Sequence, residues 1–255
     1  MSQPILRIEH LHKSFGGVHA ARDVTLDFAP QSLSAIIGPN GAGKTTFFNL
    51  ITGRLVPDSG RILLEGEDLV GRSPVEIVRR GVGRAFQVAS IFPSLTVEEA
   101  LTAAVLSHRN QAGRMFSRFP PTAARARAYE VMELLGMTGV AGVLSRNLSH
   151  GDQKLLDIAL ALALEPRVLL LDEPTAGMGT EERWQMIEKV QRLWLAQKMT
   201  LIFIEHDMDI VFRIAQTIRV LVYGAVLAEG TPEQIRSHPK VIEAYLGTAH
   251  GEAAA

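Results

Sequence analysis

The spacing of apolar residues changes rhythm three times along the chain, and each rhythm predicts a different kind of element. Ile5 to Ile8 and Val24 to Phe28 alternate apolar with polar positions, the period of half-buried strands. Leu33 to Ile37 is a short, mainly apolar run ending at Gly38, which suits a buried parallel strand. Thr45 to Thr52 then predicts a helix ended near Gly53, and Pro57-Asp58-Ser59-Gly60 is a turn before a strand at Arg61 to Leu64. From about Val88 to Leu164 strand signals vanish and helical periodicity takes over, at Val97 to Val105, Ala123 to Leu135 and Lys154 to Leu164. This stretch reads as a helical subdomain, residues 88–164, inserted into an α/β core of residues 1–87 and 165–255. Strands return at Arg167 to Leu171 and Thr200 to Ile204, separated by a helix from Glu181 to Leu195. Ile218 to Val222 and Val226 to Glu229 form a hairpin around Gly224. Thr231-Pro232-Glu233-Gln234 then opens a helix with a capping threonine, a first-turn proline and a glutamine reaching back.

Composition narrows the function classes. At 255 residues, 47% hydrophobic and 21% charged, the chain has the balance of an ordinary soluble globular protein. Its 26 basic and 27 acidic side chains leave a net charge of -1, which argues against non-specific nucleic-acid binding. The absence of cysteine excludes disulfides and thiolate metal sites. The N-terminus carries charges and histidines where a signal peptide needs an apolar run. No run is long enough to span a membrane; Leu155 to Leu164 is broken by Asp157 and stopped by Pro166. A membrane role therefore has to come through a partner. Arg109, Arg114, Arg118, Arg125 and Arg127 gather around Pro120-Pro121, either as a solvated connection or as a patch for a membrane partner or anionic headgroups.

Two motifs carry chemistry. Gly38-Pro39-Asn40-Gly41-Ala42-Gly43-Lys44-Thr45, followed by Thr46, matches the phosphate-loop pattern G-x-x-x-x-G-K-[ST] between a predicted strand and a predicted helix. Glycines let successive N–H groups point at phosphate oxygens, and the helix N-terminus adds partial positive charge. Lys44 suits the β- and γ-phosphates and the Thr45 hydroxyl suits Mg²⁺. The bland alternative is a chance glycine-rich turn. Val168 to Leu171 is an apolar strand delivering Asp172 and Glu173 at its carboxyl end. Asp172 suits the Mg²⁺ shell and Glu173 suits a general base that polarises water, although an acidic pair ending a strand is often only a helix cap.

Leu148-Ser149-His150-Gly151-Asp152-Gln153 precedes Asp172 and opens a helix. It resembles the signature motif of the ABC ATPase family, usually written LSGGQ, with His150 in place of the first glycine and Asp152 in place of glutamine. In that resemblance Ser149, His150 and Gly151 make a second anion site. Gln87, in Arg84-Ala85-Phe86-Gln87, matches the glutamine that senses Mg²⁺ and water. His206 matches the switch histidine on the γ-phosphate, while Glu205-His206-Asp207 also has the look of a metal cluster or a surface cap. Phe15 matches the aromatic that stacks on adenine, or is a core residue. Gly179 stands where the family's loop commonly has Asp, which bears on how two ATP sites communicate.

The resemblance implies a P-loop NTPase core with an antiparallel N-terminal β subdomain and an inserted α-helical subdomain. It implies ATP and Mg²⁺ as cofactors and a second ATPase subunit, the same or a sister chain, docked head to tail. It also implies membrane-spanning permease subunits, indirectly a solute-binding protein, and a peripheral place on the cytoplasmic face of the membrane. Gly83 to Gln87, Ile91 to Glu99, Glu229 to Ile235 and Val241 to Gly247 resemble importers of branched-chain (hydrophobic) amino acids. Urea, amide and aromatic-acid importers and lipid or polysaccharide exporters are related alternatives. Non-transport ABC ATPases usually add coiled coils, tandem domains or basic surfaces, none of which is visible in this sequence.

Overall fold

The structure, a computed structural model, describes residues 3–85, 92–108 and 122–251. In chain order these form β1 (Leu6–Phe15), β2 (Val18–Phe28), β3 (Leu33–Ile37), α1 (Lys44–Ile51), β4 (Ser59–Leu64), β5 (Glu67–Asp68) and α2 (Pro74–Arg79). There follow β6 (Val82–Ala85), α3 (Val97–His108), α4 (Thr122–Leu135), α5 (His150–Leu162), β7 (Val168–Asp172) and α6 (Thr180–Gln197). The chain closes with β8 (Thr200–Ile204), α7 (Met208–Ile214), β9 (Thr217–Val222), β10 (Ala225–Gly230), α8 (Pro232–Arg236) and α9 (Pro239–Gly251). Two compact units divide them: residues 1–77 with 198–255, and residues 78–197.

The first unit holds two sheets. One is antiparallel, in the order β2-β1-β4-β5, with Leu6 opposite both Phe28 and Leu64. In the other, β3 lies between β8 and β9 in parallel and β10 returns antiparallel along β9. Every residue of β3 and of β8 is buried, the signature of strands covered on both faces. Arg219 of β9 ties the two sheets together: its guanidinium lies 4.0 Å from the Phe28 ring centroid, pairs with Glu229 at 2.8 Å and donates to the Asp27 carbonyl. The predicted capping box is present, with Thr231 and Gln234 satisfying each other's backbone N–H groups.

The second unit pairs β6 with β7 in parallel, from Val82 opposite Val168 to Ala85 opposite Leu171. Helices α3, α4 and α5 pack through Ala100, Leu101, Val105, Ala124, Ala128, Val131, Leu155 and Ile158, all buried. No helix among the described residues is long and apolar enough to cross a membrane.

Candidate functional site

In the first unit, β3 ends at Ile37, the chain turns through 38–43, and α1 starts at Lys44. Gly43 has φ 99, and a Cβ there would lie 2.1 Å from the Ala20 carbonyl oxygen. A Cβ on Gly38 would lie 2.1 Å from the Leu221 carbonyl oxygen. Neither position admits a side chain, so the loop can press its backbone against its neighbours. Around Gly41 the space is open. No side chain caps α1, which begins directly after the glycine-rich turn. The buried Lys44 ammonium donates to the carbonyls of Gly38 at 2.7 Å and Pro39 at 3.1 Å. Thr45 and Asn40 are exposed, and Thr46 and Pro39 are half-buried. The tip of the β9–β10 hairpin supports the loop, the Gly224 N–H donating to the Ala42 carbonyl at 3.0 Å. From α9, Tyr245 meets the Gly38 backbone; burial pushes its phenol up to about 12 and that hydrogen bond opposes the rise.

Phe15 ends β1 with 46% of its surface exposed and the Lys13 ammonium 5.4 Å from its ring centroid. It is a platform on the surface, and the alternative of a core residue falls. His206 is exposed directly after β8. Its neighbours do not form a metal cluster: the buried Glu205 carboxylate accepts the His206 N–H, and Asp207 caps α7. Among the described residues no three acidic or histidine side chains assemble a cation site.

In the second unit, β7 delivers Asp172 at its end. Arg84, from β6, places Nη2 2.7 Å from Asp172 Oδ2, and each side chain is only 7% exposed. Glu173 has φ 48, a left-handed backbone that a non-glycine residue adopts at a cost. Its carbonyl accepts from Lys154 Nζ at 2.8 Å and from the Ala176 N–H at 3.2 Å. One turn beyond Lys154 on α5, Asp157 is 5% exposed, and Oδ2 has no partner. Burial pushes its carboxyl up to about 7, with Lys154 opposing. Lys154, Asp157 and Asp172 share a cavity of about 20 Å³ with Ala85, Ile158, Leu171 and Pro174, room for one water.

Ser149 caps α5. Its Oγ accepts the Asp152 N–H at 3.1 Å and its hydroxyl donates to the Asp152 carboxylate at 2.7 Å. The departure at Asp152 thus has a local role, holding the serine in its cap. The departure at His150 has one too: Nε2 lies 3.3 Å from the Ala176 carbonyl oxygen. At Gly179 the N–H donates to the Glu182 carboxylate at 3.2 Å, opening α6.

Residues 38–46, Phe15 and His206 therefore lie in the first unit, and Ser149 to Gly151, Asp172 and Glu173 lie in the second. Gln87 lies outside the described residues, as do Arg109, Arg114 and Arg118. Sequence reasoning gave no role to Arg84, Lys154 or Asp157. Asp157 was detectable as the one acidic residue in an otherwise buried helix stripe; Arg84 and Lys154 act through contacts distant in sequence. The Thr45 hydroxyl in the first unit and the Asp172 carboxylate in the second are each of the oxygen type that a hard divalent cation takes.

A family model described as ABC transporter matches residues 21–176, more than half the chain. The chain belongs to the ABC transporter ATPase family. A second model, branched-chain amino acid ATP-binding cassette transporter, matches residues 225–251. The chain is 41% identical to the high-affinity branched-chain amino acid transport ATP-binding protein LivG of Escherichia coli K12, over 98% of this chain and 100% of that protein. It is 40% identical to BraF of Pseudomonas aeruginosa, over 98% and 100%. Among solved structures, the ADP conformation of an ATP-binding cassette of an ABC transporter superposes with TM-score 0.84 at 30% identity, covering 96% of this chain and 100% of that one. A nucleotide-free cassette gives 0.83 at 30%, over 94% and 98%. The cassette accordingly has the α/β P-loop NTPase fold and is a nucleotide-binding ATPase.

Proposed function

We propose that this chain is the ATP-hydrolysing subunit of an ABC importer that takes up branched-chain or related hydrophobic amino acids. The observation that carries the reading is the pairing of a full-length likeness to LivG and BraF with the match of residues 225–251 to a branched-chain cassette model. Residues 38–46 cradle the ATP phosphates, Lys44 exchanges its carbonyl partners for phosphate oxygens, and Phe15 stacks on the base. Thr45 and Asp172, with Gln87, would hold Mg²⁺, which would supply positive charge against that of the phosphates. Glu173 polarises the attacking water and His206 contacts the γ-phosphate.

The chain carries one phosphate loop and one signature cap. In our reading, Ser149, His150 and Gly151 complete the site of a second ATPase subunit docked head to tail, and that subunit returns the same contact. The helical subdomain, residues 88–164, hands the closing motion to membrane-spanning partners on the cytoplasmic face, and a solute-binding protein supplies the cargo. The decisive experiment is Glu173→Gln: ATP binding persists while light scattering shows an ATP-dependent dimer and phosphate release stops. Hydrolysis at the parent rate would remove Glu173 from the base role.

A further inference from the structure

Two side chains of α5 reach the same loop. Lys154 donates to the carbonyl of Glu173 at 2.8 Å, and His150 sets Nε2 3.3 Å from the carbonyl oxygen of Ala176. The His150 ring also lies close beside Gly177, where an added Cβ would come 3.1 Å from Nε2. The loop they hold is the one that needs holding. Glu173 sits at φ 48, and tight turns follow it, with Ala176 bonded back to Glu173 and Met178 back to Thr175. A left-handed backbone is costly for glutamate, and an ammonium donating to its carbonyl is a strong contact for holding it. The same helix begins at the Ser149 cap, so its N-terminus and the base-bearing loop are tied at two points.

We propose that Lys154 is a positioning residue for Glu173 and that, with His150, it transmits nucleotide contact at Ser149 into the setting of the general base of the same subunit. The transmission rests on the head-to-tail reading above, since the nucleotide at Ser149 is the one held by the partner. A shift of α5 toward that nucleotide pulls on the Glu173 carbonyl and swings the carboxylate with it. The contact offers a route between two ATP sites in a chain that has Gly179 in its loop.

The test uses the full chain with Lys154→Met, which keeps the apolar stem and removes the donor, and Lys154→Arg, which restores a charged donor; Lys154→Gln is a second neutral variant should the methionine form fail to fold. In the nucleotide-free chain, amide hydrogen exchange across residues 173–179 rises about tenfold in Lys154→Met and returns toward the parent rate in Lys154→Arg. Turnover falls about tenfold with the ATP concentration at half-saturation unchanged, and Lys154→Arg recovers it. Unchanged exchange and turnover in the neutral variants, or no recovery with arginine, overturns the inference. Light scattering of the Glu173→Gln chain with ATP, alone and with its membrane partners, checks the dimer separately. A persistent monomer overturns the head-to-tail reading and the transmission built on it, while the exchange experiment still decides the role of Lys154.

Discussion

Replacing Asp157 with asparagine should stabilise the protein, and should do so only where the carboxylate is ionised. Asp157 is 5% exposed, its Oδ2 is unpartnered, and burial raises its carboxyl from 3.8 to about 7. Below pH 3.8 both folded and unfolded chains carry the proton and the site costs nothing. As pH rises the unfolded chain releases it first, so the folded state binds the extra proton and stability falls. The loss accumulates between about 4 and about 7 and is complete above the folded value. The whole displacement would be worth about 4 kcal/mol. Lys154 one turn away and a one-water cavity screen the charge, so we expect about 2 kcal/mol in practice. Thermal unfolding followed by circular dichroism, without nucleotide and with chelator, reads the difference between parent and Asp157→Asn. The variant should melt about 4–8 °C higher at pH 8, with the gap shrinking toward pH 4. Parallel pH profiles for the two chains, or a variant that melts lower at pH 8, would show that the carboxylate is paired and the reasoning wrong.

Other perturbations follow from the same contacts. Arg84→Met leaves the Asp172 carboxylate buried without its cation and should cost about 3 kcal/mol, a fall in Tm of about 6–12 °C that Arg84→Lys partly restores. An unchanged Tm would mean Asp172 has another cation. Phe15→Ala should weaken ATP binding about tenfold in an equilibrium fluorescence titration, whereas Phe15→Tyr keeps a stacking face. Equal affinities for all three would remove Phe15 from the nucleotide site.

The hydrophobic runs were legible where a strand is covered on both faces or a helix is long. Leu33 to Ile37, Thr200 to Ile204 and the helices 97–108, 122–135 and 180–197 stand within a few residues of their expected bounds. The first strand was underestimated because its alternation breaks at a bulge: His10 has φ 48 and the register with β2 shifts between Ile8 and Leu11. Asp23, at φ 53, disturbs β2 in the same way. Strand β6 escaped notice because its four residues include Gly83 and a buried Arg84, which no apolar rhythm marks. Helices α2 and α7, of six and seven residues, are too short to establish a period. At the site, contiguous motifs were readable and long-range partners were not. Lys154 and Glu173 are near neighbours in space only because α5 runs back beside β7, and a sequence pattern does not record which lysine of a helix meets a carbonyl.

Lys44 braces its own loop from within. Its ammonium is buried and already holds two carbonyl oxygens, so an arriving phosphate meets a loop whose charge is solvated by its own backbone. Exchange of nucleotide then becomes a substitution among oxygen acceptors.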